Sequence, residues 1–264
     1  MDAISRTAGD TVIVVPCYNE AGRLQPEAFR AFAASNASAS FLLVDDGSTD
    51  RTRELLDALH RERPDRFAVL PLAKNFGKAE AVRRGLQLGL DAGKRYVGYW
   101  DADLATPLAA IGAFRDTMEA RPHVEMLLGS RVKLLGRRID RRAGRHYLGR
   151  VFATAASMTL RLGVYDTQCG AKMFRASETM RGVLEQPFES RWIFDVELIA
   201  RFLQRHGWPD GPAELDPIQE LPLETWVDVG GSKIRPADWL FAAVDLARIA
   251  VRYRAPLVPR NRVR

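Results

Sequence analysis

The stretch VGYWDADLATP, Val97 to Pro107, decides the reading of this chain. Tyr96 to Trp100 carry no charge and suit a short buried strand. Two carboxylates, Asp101 and Asp103, follow one residue apart. Side chains two apart on an extended segment lie on the same side, so both acids aim at one place. Close like charges raise a pKa unless a cation or donor neutralises them. A hard divalent cation is the simplest neutraliser, and magnesium commonly takes one or two carboxylates plus substrate phosphates. The stretch reads either as a metal–diphosphate site held by Asp101 and Asp103, or as two exposed acids in a turn.

Outward from this stretch the pattern repeats. Strands are expected at Thr11 to Pro16, Phe41 to Asp46, Arg66 to Leu72, Arg95 to Trp100 and Val124 to Gly129. Helices are expected around Leu24 to Ala34, from Asp50 through Leu59, over Ala79 to Ala92 and from Pro107 onward. Such alternation argues an α/β domain, a mostly parallel, Rossmann-like sheet with helices on both faces. Ligands of such sheets sit at the carboxyl ends of the strands. There the chain places Tyr18-Asn19-Glu20, Asp45-Asp46, Asn75, and Asp101 with Asp103. Beyond Gly129 the regularity ends. A helix over Gly144 to Leu162, a turn at DTQCG (Asp166 to Gly170), two more helices and an amphipathic C-terminal helix are expected. The expectation is one domain over 1–264: a half of regular alternation carrying the polar strand ends (11–130), a less regular half (131–235), and a C-terminal helix with basic tail (236–264).

Of 264 residues, 47% are hydrophobic and 27% charged, ordinary for a soluble globular protein with a real core. Cys17 and Cys169 form no spaced set, so reduced thiols are expected rather than a disulfide or zinc site. The opening MDAISRTAGD has an acid at position 2 and no apolar stretch, which does not fit a secretory signal. No run is long enough to span a membrane. The expected location is the cytoplasm, peripheral at the cytoplasmic membrane face.

The net charge of +6 is uneven: Arg131 to Arg150 holds eight Lys/Arg against one acid, and Val251 to Arg264 holds five arginines and no acid. Clustered positive charge points to an anionic partner, or is a solvated basic face. A nucleic-acid-binding module is the remote alternative. It is not expected, because the aromatics do not interleave with the basic patch as stacking requires.

Neither a P-loop nor a GxGxxG fingerprint is present. Asp45 or Asp46 is placed against base or ribose, and the backbone of Pro16 to Glu20 around the ring. Asp50 reads as a helix cap, and Glu20 as a ligand or an exposed loop acid.

VVPCYNE, LLVDDGSTDRT, NFGKAEAVRRGL and DADLATP together resemble glycosyltransferase family 2, the GT-A nucleotide-sugar transferases. DTQCGAKMF, ESRWIFDVELI and GGSKIRPADWLFAAVDLARIAVRY are similar to the dolichyl-phosphate β-glucosyltransferase branch. Mannosyl relatives carry glutamine where Ala105 stands, and the DADLAT form resembles the glucosyl branch. The resemblance implies a UDP- or GDP-hexose donor, Mg2+ or Mn2+ at Asp101 and Asp103, and a polyprenyl-phosphate acceptor. It implies donor contacts from Pro16, Tyr18, Glu20, Asp46 and Lys78, with Asp45 and Ala102 beside them, and Arg131 meeting phosphate. Arg142 and Arg145 are further candidates for the acceptor phosphate.

The reaction expected is an inverting hexosyl transfer, glucose favoured, through an oxocarbenium-like transition state, with Asp103 and Arg131 in the catalytic set. A phosphate acceptor is already anionic at neutral pH. A hydroxyl acceptor, on a soluble sugar or another lipid, would need a general base, and Asp166 is the candidate with Asp195 behind it. Asp166 alternatively caps a turn, and Asp195 and Glu197 alternatively pair with Arg191 inside the fold. The C-terminal helix is either an interfacial helix or one packed on its own domain.

Overall fold

The computed structural model describes residues 2–140, 143–208, 216–229 and 236–253, with the side chains of 2–3, 143–148 and 236–240 left aside. In chain order the elements are α1 (Asp2–Ser5), β1 (Thr11–Cys17), α2 (Pro26–Ser35), β2 (Ala39–Asp45), α3 (Thr52–Glu62), β3 (Phe67–Pro71), α4 (Lys78–Asp91), β4 (Tyr96–Trp100) and α5 (Ala110–Ala120). There follow β5 (Met126–Ser130), β6 (Arg138–Asp140), α6 (Ala143–Leu160), β7 (Ala171–Arg175), α7 (Glu178–Leu184), α8 (Phe194–His206), β8 (Ile218–Pro222), β9 (Thr225–Val227) and α9 (Pro236–Arg252).

Seven strands form one sheet in the order β3-β2-β1-β4-β7-β5-β8, and β6 pairs with β9 in a separate ribbon. β7 runs antiparallel to both neighbours, and the other pairs of the large sheet are parallel. The strand order reverses between β1 and β4, which makes the crevice there the natural ligand site.

Strand alternation divides the core into two layers. Val12 and Val14 of β1 pack on one face with α4, α7 and α8. Ile13 and Val15 pack on the other with Phe29, Leu56 and Phe114 of α2, α3 and α5. On α4, Val82, Leu86 and Leu90 form the expected buried stripe. Gly85 and Gly89 lie on the same side, and a Cβ at either would stand 2.4 Å from Val14 Cγ1 or 2.6 Å from Val12 Cγ1. These glycines let the helix settle onto the strands, placing its first turn over the end of β4.

The five expected strands are present with ends shifted by a few residues. The stretch after DTQCG was expected to be helical, but it first forms β7. Lys172, second in AKMFR, hides that strand from an apolar-run reading. β8 and the β6–β9 ribbon were likewise not expected.

Both cysteines are free and buried, and burial pushes the Cys169 thiol up to about 11. No helix among the described residues is long and apolar enough to cross a membrane. α9 buries Ala242 and Ile249 against the domain, with Tyr253 just beyond its end, and exposes Phe241, Val244 and Val251, so the reading of a helix packed on its own domain is the one seen. The side chains of Trp239 and Leu240 lie outside those described.

Candidate active site

The carboxyl ends of β1, β2, β4 and β5 deliver Tyr18, Asp46, Asp101 and Arg131 to one edge of the sheet. Because β7 is reversed, its entry loop reaches the same edge. Trp100 pairs with Ala171, and the Asp101 N–H donates to the Gly170 carbonyl at 2.9 Å. DTQCG thus comes to lie beside DADLA.

Asp101 is the centre of this edge. Lys78, at the start of α4, places its Nζ 2.6 Å from Asp101 Oδ1, and the Asp101 side chain is 34% exposed. Burial opposes the Lys78 charge, but Asp101 and Asp195 outweigh it and hold its pKa above the ordinary lysine value. Asp103 Oδ1 accepts the Ala105 N–H at 3.1 Å, closing a turn in which Leu104 sits at a left-handed φ of 53°. Burial and the charge of Asp101 push Asp103 above the ordinary carboxylate range, against Ala105 N–H, Lys78 and Arg23. The two acids therefore repel, as the sequence predicts. Two carboxylates offering only oxygen, half-buried and short of positive charge, fit a hard divalent cation that completes its shell with phosphate and water. Ala102 between them is buried in the core. The Ala105 carbonyl accepts the Val227 N–H of β9 at 3.1 Å, tying the motif to the second half of the chain.

Arg131 is clamped to Asp166. Its Nε and Nη2 donate to the two carboxylate oxygens at 2.6 and 2.8 Å, and its backbone N–H adds a third bond at 3.1 Å. Burial works against the Arg131 charge, but Asp166 more than offsets it and raises the pKa further. The guanidinium lies 5.2 Å from the Trp226 ring centroid. Glu220 on β8 accepts the N–H groups of Tyr165 and Asp166 at 2.7 and 2.8 Å, fixing the loop from below. Trp226 and Glu220 were not singled out from the sequence. A tryptophan inside LETWV and a glutamate inside IQELP are the only traces they leave there.

The β1 and β2 loops are knitted together. The Glu20 N–H donates to Thr52 Oγ1 at 2.7 Å, Asn19 Oδ1 accepts the Thr49 N–H at 2.8 Å, and the Glu20 carboxylate holds Arg23 at 2.5 Å. Pro16 and Tyr18 are partly exposed along this edge. Asp45, 5% exposed, accepts the Ser48 N–H at 3.0 Å. Asp46 spends an oxygen on each of the Phe76 and Gly77 N–H groups, both at 2.8 Å. It thereby shapes the loop that carries Lys78. Asp50 accepts the Thr52 N–H at 2.9 Å from one residue ahead of the cap position, which Arg51 holds without a side-chain bond, so the expected cap at Asp50 is corrected.

The pairing of Asp195 and Glu197 with Arg191 is corrected. Asp195 meets Lys172 at 2.7 Å, and Glu197 meets Arg201 at 2.6 Å, while Arg191 reaches the Phe76 carbonyl. The reason is the four-residue spacing of Glu197 and Arg201 on one helix face and the buried cation on β7. Trp192 is 40% exposed. Arg142 lies outside the described residues, and so does the side chain of Arg145.

Comparison with solved structures gives this architecture its class. Glucosyl-3-phosphoglycerate synthase from Mycobacterium tuberculosis, solved with Mn2+, UDP and glucosyl-3-phosphoglycerate, has a TM-score of 0.63 at 17% identity, covering 97% of this chain and 83% of that one. The same enzyme with Mn2+, UDP-glucose and glycerol 3-phosphate also scores 0.63. The fold is GT-A. Residues 12–180 match the family described as Glycosyl transferase family 2, and the chain belongs to that family. It is a nucleotide-sugar-dependent glycosyltransferase. The human dolichyl-phosphate beta-glucosyltransferase is 30% identical over 265 residues, 91% of this chain and 75% of that protein. A Trichomonas vaginalis enzyme of the same name is 29% identical, covering 94% and 72%. Polyprenol monophosphomannose synthase of Mycolicibacterium smegmatis is 26% identical, covering 96% and 91%.

Proposed function

We propose that this enzyme moves a hexose, with glucose favoured, from a UDP- or GDP-sugar to a polyprenyl phosphate of the dolichyl-phosphate type, with inversion. The observation that carries the reading is the Asp101–Asp103 pair at the β4 edge, flanked by Lys78 and by the Arg131–Asp166 clamp. The relatives named for dolichyl-phosphate beta-glucosyl transfer support the sugar and the acceptor.

Asp101 and Asp103 would hold Mg2+ or Mn2+, which when bound supplies Lewis-acid stabilisation of the leaving diphosphate. Lys78 adds positive charge on the same side, where the nucleoside diphosphate departs. Tyr18, Glu20 and the Pro16 backbone are assigned to the nucleoside, with Asp45 beneath them and Asp46 acting through the 76–77 loop. An acceptor phosphate oxygen attacks the anomeric carbon as the bond from that carbon to the diphosphate oxygen breaks. The phosphate has a second pKa of about 6 and attacks without a base. Arg131 is the phosphate-holding cation, and Asp166 orients it. The Asp166 oxygens accept from Arg131 and from the Gln168 N–H. This supports orientation over general-base work on a hydroxyl.

Peripheral attachment to a membrane face completes the proposal. Leu134 and Leu135, Val151 and Met158 on α6, and Phe241, Val244 and Val251 on α9 are exposed apolar residues, and the sequence adds the basic run of 131–150.

The test offers labelled UDP-glucose and GDP-mannose, each with Mg2+ or Mn2+, to polyprenyl phosphate and to soluble sugars. Label passing from UDP-glucose to polyprenyl phosphate, lost in Asp103→Asn, is the expected result. Label passing only to a soluble hydroxyl acceptor would overturn the acceptor assignment. No transfer from either donor to any acceptor would overturn the reading itself.

A further inference from the structure

A second cluster of charge lies beneath Asp101, and the reaction described so far does not use it. β4 and β7 set Tyr99 opposite Lys172. Lys172 is wholly buried, a rare place for an ammonium without partners. It meets the Tyr99 hydroxyl at 2.8 Å, the Cys169 carbonyl at 2.7 Å and Asp195 Oδ1 at 2.7 Å. Three partners match the three donors of an ammonium. The Tyr99 hydroxyl donates in turn to Asp195, in the first turn of α8.

This cluster reaches the site through the Tyr99 ring. Lys172 Nζ stands 5.2 Å and Lys78 Nζ 5.7 Å from its centroid. Lys78 is also the lysine held on Asp101 at 2.6 Å. A continuous line therefore runs from Asp195 and Lys172 through Tyr99 to Lys78 and Asp101. Replacing a buried ion pair by apolar residues is often neutral or stabilising, so stability alone is a poor reason for this one. Two anchors on the hydroxyl fix where the ring stands, and the ring fixes one side of the space open to Lys78.

We infer that the Lys172–Asp195 pair is a positioning device for the transfer reaction: it holds Tyr99, and through Tyr99 sets Lys78 and Asp101 at the donor diphosphate. The inference rests on the donor site proposed above. Tyr99, Lys172 and Asp195 are positioning residues. They leave the chemistry to the groups at the edge.

The test compares Lys78→Met, Tyr99→Phe, Asp195→Asn and the double variant Lys172→Met/Asp195→Asn, each by melting temperature and by kcat and KM for UDP-glucose. Lys78→Met is the reference for the donor site and should lose about 100-fold in kcat/KM. If it loses nothing, the donor-site reading fails whatever the others do. Asp195→Asn should lower both Tm and kcat/KM, because it strands a buried cation. The double variant should regain the Tm while its kcat/KM stays down by at least about tenfold, with KM raised. A purely structural role would lower the active fraction and leave KM unmoved. Tyr99→Phe keeps the ion pair and ring but takes one hydrogen-bond partner from Lys172 and one from Asp195, so it should lower Tm modestly and lose about tenfold in kcat/KM, with KM raised. With Lys78→Met impaired, recovery of both Tm and kcat/KM in the double variant overturns the inference. Should the double variant fail to fold, wild-type kcat/KM in Tyr99→Phe overturns it instead.

Discussion

Gly170→Ala is the sharpest perturbation the geometry offers, because it attacks Asp101 without touching it chemically. A Cβ at Gly170 would stand 1.9 Å from Asp101 Oδ2, 2.2 Å from Cγ and 2.8 Å from Oδ1, where real Cβ contacts essentially never fall below 3.0 Å. Asp101 must retreat by about 1 Å, and a misplacement of that size costs on the order of 100-fold in rate. The retreat also breaks the 2.6 Å contact with Lys78. The fold should tolerate the change. Gly170 is not left-handed, and Asp101 is 34% exposed and can swing toward solvent. Stability should fall by no more than about 1–2 kcal/mol, or roughly 2–8 °C in Tm at this chain length.

The assay is transfer of labelled glucose from UDP-glucose to polyprenyl phosphate, with Tm measured on the same preparations. Gly112→Ala is the control. Gly112 lies in α5 with nothing within 4 Å of its added Cβ, and alanine should stabilise that helix by about 0.5–1 kcal/mol. A Gly170→Ala enzyme that folds and keeps kcat/KM within about threefold of wild type would refute the reasoning. Asp101 would then be no part of the reacting centre.

Three further outcomes are expected. Glu197→Gln strands Arg201, whose guanidinium meets Glu197 at 2.6 Å inside the core; denaturant titration should show a loss of about 3–5 kcal/mol. Glu80 is held below its ordinary pKa of 4.5 chiefly by its hydrogen bond from Arg83, against burial, with Arg84 assisting. That stability is present above pH 4.5 and lost as pH falls through the lower folded value, so Glu80→Gln should flatten the Tm–pH curve on the acid side, and an unchanged acid slope would contradict the assignment. Anionic vesicles should sediment the protein at low salt and release much of it at high salt, since screening shortens the reach of surface charge. Leu135→Asp/Phe241→Asp should bind less, and absence of binding at either salt would remove the surface-docking idea.

How much could be read from the residues alone depended on where each partner comes from. β1 to β5 are legible because each is an apolar run that ends in polar residues, and the site falls on those ends. DADLATP is legible because both acids come from one strand end. β7 is not, since Lys172 interrupts its five residues and the charge is answered by Asp195 from α8, far along the chain. Glu197 drew a wrong partner for the opposite reason. Arg191 is near in sequence, but Arg201 one helical turn on shares its face. Gly85 and Gly89 look like weak points in a helix, and only the packed sheet shows that they are contact points.

The reversed strand explains how the candidate site draws residues from both halves of the chain. In an all-parallel sheet every loop at the carboxyl edge leaves a strand. β7 brings an entering loop to that edge, so Asp166 and Gly170 arrive beside residues leaving β4 and β5. Among these described groups the charges then fall into pairs: Lys78 with Asp101, Arg131 with Asp166, and Lys172 with Asp195. Asp103 is the acid left over, and burial and Asp101 already push its pKa up. A divalent cation would gain most at that surplus carboxylate, where it would relieve the repulsion between the two acids. It would also loosen the hold of Asp101 on Lys78, leaving the lysine's charge for an incoming phosphate. This is the physical ground for placing the cation between the acids and the diphosphate against Lys78.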